Sequence, residues 1–249
     1  MAERRRLLID SHRLQSADAQ RRFQLEDHES RYLRKVLRLK QGSLVDVIDG
    51  CGHLWMARLL DGQHLELCTD LTMPSQCVVS PLPKVGLAIA LIRRGMDDVM
   101  RMACELGVDR LQPIDCQRCV PQAEHRPERW RSIVQEAVEQ CERLWAPQLP
   151  GLCAAADWWA KPDQNDLRLI AVTREAGTLR LAELLAIQSF KDRSIWLSIG
   201  PEGGWSDQEL AAAQAAGWLF VSLGDTILRS STAAVAGASS LTNWRTLSC

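Results

Sequence analysis

Three short strings carry residue types suited to holding a small ligand by its polar edges. They are Ala171-Val172-Thr173-Arg174-Glu175-Ala176-Gly177, Ile199-Gly200-Pro201-Glu202-Gly203-Gly204-Trp205-Ser206, and Leu223-Gly224-Asp225-Thr226-Ile227-Leu228-Arg229-Ser230-Ser231-Thr232-Ala233. In the second, three glycines within five residues stand directly before Ser206-Asp207-Gln208-Glu209, a capping box that starts a helix. Glycines ahead of a helix let the backbone approach a ligand closely and offer it free N–H groups. The same glycines can also do no more than turn the chain. Neither G-x-G-x-x-G nor G-x-x-x-x-G-K-[ST] occurs, so neither common nucleotide fingerprint applies. Cys116-Gln117-Arg118-Cys119 has C-x-x-C spacing, but no second pair accompanies it and no metal is expected there.

Each string follows an apolar run that reads as a strand: Leu167 to Val172, Ile195 to Ile199 and Leu219 to Leu223. Upstream, Val85 to Ile92 is a continuous apolar run of the kind found in buried parallel strands. Met96 to Leu106 reads as a helix ended by Gly107, Leu111 to Ile114 as a strand, and Glu128 to Trp145 as a long amphipathic helix. Ala233 to Trp244 is a small-residue helix that suits close packing, either within the chain or across an interface. Strands alternating with helices predict a parallel α/β sheet, in which ligands bind beyond the carboxyl ends of the strands.

The first part of the chain follows another pattern. Ser43 to Ile48, His53 to Leu60 and His64 to Leu71 read as strands joined at Asp49-Gly50 and Asp61-Gly62. Before them, Glu29 to Arg38 predicts a helix with Tyr32, Leu33, Val36 and Leu37 inward and Arg34, Lys35 and Arg38 outward. The expected division is a small β domain over residues 1–73, a Pro-rich linker over 74–83 and an α/β domain over 84–249.

The chain has 249 residues with 30 basic and 31 acidic side chains, an ordinary globular balance lacking the overall basic excess of many nucleic-acid binders. The distribution is uneven, because residues 1–40 hold eleven basic and six acidic side chains. Twenty-five of the 30 basic residues are Arg, the type suited to bidentate phosphate contact. A solvated surface is the plainer reading of such a segment. No apolar run is long enough to span a membrane or form a secretory leader, and nine cysteines without framework spacing fit a reducing, cytoplasmic setting.

The ordered pair I-G-P-E-G-G-x-S-x-x-E and L-G-x-x-I-L-R-x-x-T-A resembles the RsmE family, 16S ribosomal RNA uridine-N3 methyltransferases of the SPOUT superfamily. The resemblance extends to Val36-Leu37-Arg38, Val47-Ile48-Asp49-Gly50, Glu105-Leu106-Gly107-Val108 and Glu139-Gln140-Cys141-Glu142-Arg143. It implies a trefoil-knotted parallel α/β domain behind a PUA-like β-barrel that binds RNA, with the segment from Leu223 threaded through the preceding chain. It also implies a homodimer acting on 16S rRNA or the small ribosomal subunit. S-adenosylmethionine is the implied methyl donor. Its implied contacts are Val172, Thr173, Ile199, Gly200, Pro201, Gly203, Gly204, Leu223, Gly224, Ile227, Leu228, Ser231, Thr232 and Ala233. RNA is expected at Arg22, Arg34, Lys35 and Arg38.

The N3 of uracil is protonated at neutral pH, so methylation there needs a base or an electropositive group that stabilises the anion. Arg229 suits the electrostatic role, or else braces backbone carbonyls of the knot. Glu202 suits proton acceptance, a helix cap, or loop and cofactor contact. Where the family reads L-G-x-R-I-L-R-x-E-T-A, this chain has Thr226 and Ser231 in place of the first Arg and the Glu. Ser231 cannot act as a general base at neutral pH, which keeps a second reading open: an RNA-binding protein of the same fold with weak or lost catalysis, or methylation of another RNA.

Overall fold

The computed structural model describes residues 4–123, 125–175, 177–187 and 193–248. Ala176 of the first loop and residues 1–3 lie outside them. Two units emerge, one of Met1–Ser80 with Val138–Ala146 and one of Pro81–Ala137 with Pro147–Cys249.

The first unit is a six-stranded sheet. Its elements are β1 (Arg6–Leu8), α1 (Ser11–Gln15), β2 (Arg22–Gln24), α2 (Asp27–Arg31), β3 (Leu44–Ile48), β4 (His53–Leu59), β5 (His64–Leu67) and β6 (Gln76–Cys77). The strand order is β1-β3-β4-β5-β2, with β6 on β4, and only the β1–β3 pair is parallel. Both Asp-Gly turns close as expected. The Asp49 carboxylate accepts from the amides of Cys51 (2.7 Å) and His53 (3.1 Å), and Asp61 accepts from those of Gln63 (2.7 Å) and His64 (2.9 Å). Leu7, Ile9, Phe23, Leu33, Val45, Val47 and Trp55 fill the core.

Two expected helices end differently. The Glu29–Arg38 segment is α2 followed by one π-helical turn, Tyr32–Val36, in which the Leu37 amide donates to Tyr32 O at 3.0 Å. That bond spans five residues instead of four, so the face rotates. Leu33 stays buried, while Val36, expected inward, is 65% exposed. The Glu128–Trp145 helix stops at Gln140, and Glu142 takes a left-handed φ of 62°. Leu144 to Ala146 instead pair with the first hairpin. The Gly52 amide donates to Leu144 O, the Ala146 amide donates to Gly50 O, both at 2.9 Å, and Cys51 bridges Trp145.

In the second unit the elements are β7 (Val85–Ala90), α3 (Met96–Glu105), β8 (Arg110–Asp115), α4 (Pro127–Gln140), β9 (Cys153–Ala154) and α5 (Ala155–Trp158). They continue with β10 (Leu167–Ala171), α6 (Leu181–Ile187), β11 (Ile195–Ile199), α7 (Asp207–Ala215), β12 (Leu219–Val221) and α8 (Ser230–Ser248). All six strands are parallel in the order β12-β10-β11-β7-β8-β9. Strands β7 and β11 are buried along their whole length, as their largely apolar sequences require, and the one polar side chain of β11, Ser198, accepts from the Trp158 indole at 2.9 Å.

Ala234 and Ala238 of α8 are fully buried, and a methyl group at Gly237 would overlap Leu197 of β11. Ala234, Gly237 and Ala238 therefore pack inside the chain, while Ser240 is exposed. Tryptophans form much of the remaining core: Trp158, Trp159, Trp196, Trp205 and Trp218 pack on one another with ring centroids 4.8–5.8 Å apart. Gly86 leaves room for the Trp196 ring, which lies 2.7 Å or less from where a methyl group would stand. Among the described residues, no helix is long and apolar enough to cross a membrane.

Candidate functional site

Because β12, β10, β11 and β7 are consecutive in a parallel sheet, their carboxyl ends lie side by side and gather the three sequence strings at one edge. Hydrogen bonds tie the loops together. The Trp205 indole N–H donates to Ala171 O at 2.9 Å, fastening the glycine loop to the end of β10. The Val172 amide donates to Val221 O at 3.0 Å, and Leu179 and Leu181 exchange bonds with the Ser222 backbone at 2.9 and 2.8 Å. Arg180 reaches Asp225 at 2.6 Å. Helix α7 begins with the capping box read from sequence: Ser206 Oγ accepts from the Glu209 amide, and Glu209 accepts from the Ser206 amide at 2.8 Å.

The expected cofactor residues divide by exposure. Val172, Ile199, Pro201 and Ala233 are buried, Gly200, Gly204, Leu223, Leu228 and Ser231 half-buried, and Thr173, Gly203, Gly224, Ile227 and Thr232 exposed. Gly204 and Gly224 have φ of +71° and +143°, which side chains rarely adopt, and both have open space where a Cβ would stand. Ile227 is 60% exposed on the same loop as Gly224. The edge thus offers bare backbone beside exposed apolar surface.

The Glu202 carboxylate accepts from the backbone amide of Arg93 at 2.9 Å, joining the glycine loop to the loop after β7. It does not cap α7, since Ser206 does. Arg229 is exposed, and its guanidinium has no hydrogen bond or ion pair among the described residues. Ser231 stands beside Gly95 at the start of α3, with its Cβ 3.5 Å from where a Gly95 methyl would lie.

Two further loops reach this edge that the sequence strings do not include. Residues 91–95 follow β7, and residues 116–119 follow β8. Arg118 donates to Trp205 O at 2.9 Å, while Gln117 bonds Glu209 through its amide and Gln208 through its side chain, both at 2.9 Å. The rule that ligands collect beyond strand carboxyl ends applies to all of these strands and would have pointed to them. In the second of these loops the Cys116 amide donates to Cys119 Sγ at 3.3 Å. The Cys116 thiol and burial act in opposite directions on Cys119: the hydrogen bond from Cys116 dominates and lowers its pKa, while Cys116 itself is held as the thiol. Among the described residues, no group of three or more His, Cys, Asp or Glu is placed to hold a metal.

The basic residues of the first unit separate into paired and free. Arg4 bonds Asp46 (2.7 Å), Arg6 bonds Glu142 (3.0 Å), Arg13 bonds Glu29 (2.6 Å), and Arg21 and Arg22 lie 3.6 and 3.9 Å from Asp70 and Glu66. Arg31, Arg34, Lys35, Arg38 and Lys40 are exposed and have no ion pair among the described residues. Arg5 and Arg58 are likewise exposed with no ion pair among the described residues, and the other free charges cluster on and around the π-helical turn.

A model of an RNA methyltransferase domain matches residues 79–242, and one of an RNA methyltransferase PUA domain matches residues 25–67. The ribosomal RNA small subunit methyltransferase E of Synechocystis is 39% identical over 205 residues, spanning 81% of this chain and 66% of that protein. The protein of the same name from Mycobacterium bovis is 27% identical over 219 residues, spanning 77% of this chain and 82% of that one. The crystal structure of the Neisseria gonorrhoeae ribosomal RNA small subunit methyltransferase E bound to S-adenosyl methionine superposes with a TM-score of 0.79 at 26% identity, covering 97% of this chain and 98% of that one. With one model running from just ahead of β7 into α8 and the other lying over the sheet of the first unit, the chain belongs to the RsmE family of RNA methyltransferases.

Proposed function

We propose that this chain uses S-adenosylmethionine to methylate N3 of a uridine in 16S ribosomal RNA, as a cytoplasmic homodimer whose segment from Leu223 is threaded through the preceding chain. The observation that carries this reading is the open glycine backbone at Gly204 and Gly224 beside Ile227, at the edge where three strand ends meet. That edge fits the cofactor: backbone N–H and C=O groups suit an adenine and a ribose, and the exposed apolar surface suits the face of a purine. When bound, S-adenosylmethionine supplies an electrophilic methyl group.

The residues of the chain supply the rest. Arg229, exposed and without a carboxylate partner among the described residues, stabilises the uracil anion as N3 loses its proton. Glu202 is occupied by the Arg93 amide and acts as a positioning residue, holding two loops in register. The uncommitted Arg31, Arg34, Lys35, Arg38 and Lys40 of the first unit hold RNA phosphates, while Arg22 sits near Glu66 and contributes less.

The test is mass-spectrometric nucleoside analysis of 16S rRNA from a strain with and without the gene and with no second enzyme of this kind. Loss of 3-methyluridine is expected. Unchanged 3-methyluridine would refute the reading and leave a binding protein of this fold, which the Thr226 and Ser231 departures keep in view.

A further inference from the structure

A cleft of about 470 Å³ opens beyond the carboxyl end of β7, lined by Ile92 to Asp98 together with Gln122, Arg126 and Trp130. Its acidic residues are already engaged. Asp97 accepts from Arg129 Nε (2.5 Å) and from the Trp130 indole (3.1 Å), and Asp98 lies 3.6 Å from Arg101. Its basic residues include two that are not. Arg93 and Arg94 are exposed, and neither guanidinium has a hydrogen bond or ion pair among the described residues. Elsewhere in this unit Arg101, Arg110, Arg129, Arg180 and Arg245 each meet a carboxylate. An arginine kept for structure meets a carboxylate, as those five do, or a backbone carbonyl, as Arg118 does. Arg93 and Arg94 instead have a fixed backbone, since the Arg93 amide is bonded to Glu202, and side chains free to bind.

We infer that this cleft binds a phosphodiester group of the RNA, with Arg93 and Arg94 as positioning residues that hold the strand beside the methyl-donor loops; this rests on the methyltransferase reading above. Two adjacent planar guanidinium forks match the oxygens of a phosphate, and the volume admits the attached sugar as well as the anion. The location is suited to the task, because the β7 loop touches the glycine loop at Glu202 and the start of α8 at Ser231.

The experiment is filter binding of a labelled 16S rRNA transcript to the full chain over a range of potassium chloride, comparing wild type, Arg93→Ala with Arg94→Ala, and Arg93→Lys with Arg94→Lys. Removing one cation that neutralises a phosphate lowers the slope of log affinity against log salt by about 0.7–0.9. Because the two arginines share one phosphate, the double alanine variant should therefore lose about 0.7–0.9 from the slope, and the double lysine variant should retain most of it. Calorimetric titration with S-adenosylmethionine should give wild-type affinity for all three proteins. An unchanged slope in the double alanine variant, or a wild type that does not bind the transcript, overturns the proposal. So does weakened cofactor binding with an unchanged slope, which would assign the two arginines to the cofactor carboxylate. The two readings fail separately: a reduced slope with no 3-methyluridine in cells defeats the methyltransferase reading alone, and 3-methyluridine with an unchanged slope defeats the cleft alone.

Discussion

Trp205→Phe tests whether the fastening of the glycine loop is part of the binding site or merely part of the core. The substitution keeps an aromatic ring against Trp159, 5.3 Å away, and removes the indole N–H that donates to Ala171 O. Losing that bond costs about 1 kcal/mol, and the smaller ring about 1–2 kcal/mol more. The total of about 2–3 kcal/mol corresponds to a fall in melting temperature of about 5–10 °C for a unit of this size. Trp218→Phe is the matched control. It removes a bond of the same kind, to Trp159 O at 3.0 Å, from a ring in the same cluster, but Trp218 precedes β12 and so lies at the amino end of that strand. Both variants should lose similar thermal stability by scanning calorimetry. Only Trp205→Phe should weaken S-adenosylmethionine binding, by about five- to thirtyfold in a calorimetric titration, because about 1–2 kcal/mol of loop order must then come from the ligand. Equal cofactor affinity in the two variants would refute the role of Trp205 as a tether of the site.

Gly86→Ala should destabilise the second unit by about 1–3 kcal/mol, because the new methyl group displaces the Trp196 ring that stacks under Arg110 at 4.4 Å; an unchanged denaturant midpoint would contradict that packing. Cys119 should alkylate with a rate midpoint below the ordinary thiol value of about 8.5, since a lowered pKa puts the thiolate in place at lower pH. Cys116→Ala removes the thiol donor, leaves the backbone amide in place and should move that midpoint upward, read residue by residue with iodoacetamide and mass spectrometry. A midpoint that does not move would show that another group controls Cys119.

Most of the second unit was legible because its signals are local. The apolar runs of β7 and β11, the capping box at Ser206 and Glu209, and the glycines ahead of it act over a few residues. The strand-end strings came together at one edge because a parallel sheet must place its carboxyl ends there. The Glu29–Arg38 face departs from its periodicity for an equally local reason: a helical period assumes four-residue bonds, and a five-residue bond at Leu37 turns Val36 outward. Nothing in the side chains of that segment announces the change.

What the sequence alone determined is the set of residue types at the site and the class of sheet that carries them. What only the tertiary structure decided is which charges and loops are committed. The basic excess of residues 1–40 looked uniform as a string, yet the β1–β3 register puts Arg6 opposite Asp46 and lets Arg4 bond that carboxylate, leaving most of the free charge on and around the π-helical turn. Glu202 could be a base, a cap or a loop contact until the fold brought Arg93, 109 residues away, to its carboxylate. The same packing left Arg93 and Arg94 facing a cleft with its acids already paired. Pairings across such distances depend on sheet register and on which helix end meets which loop. No spacing rule within the chain encodes them, because the energy that selects them is that of the whole core.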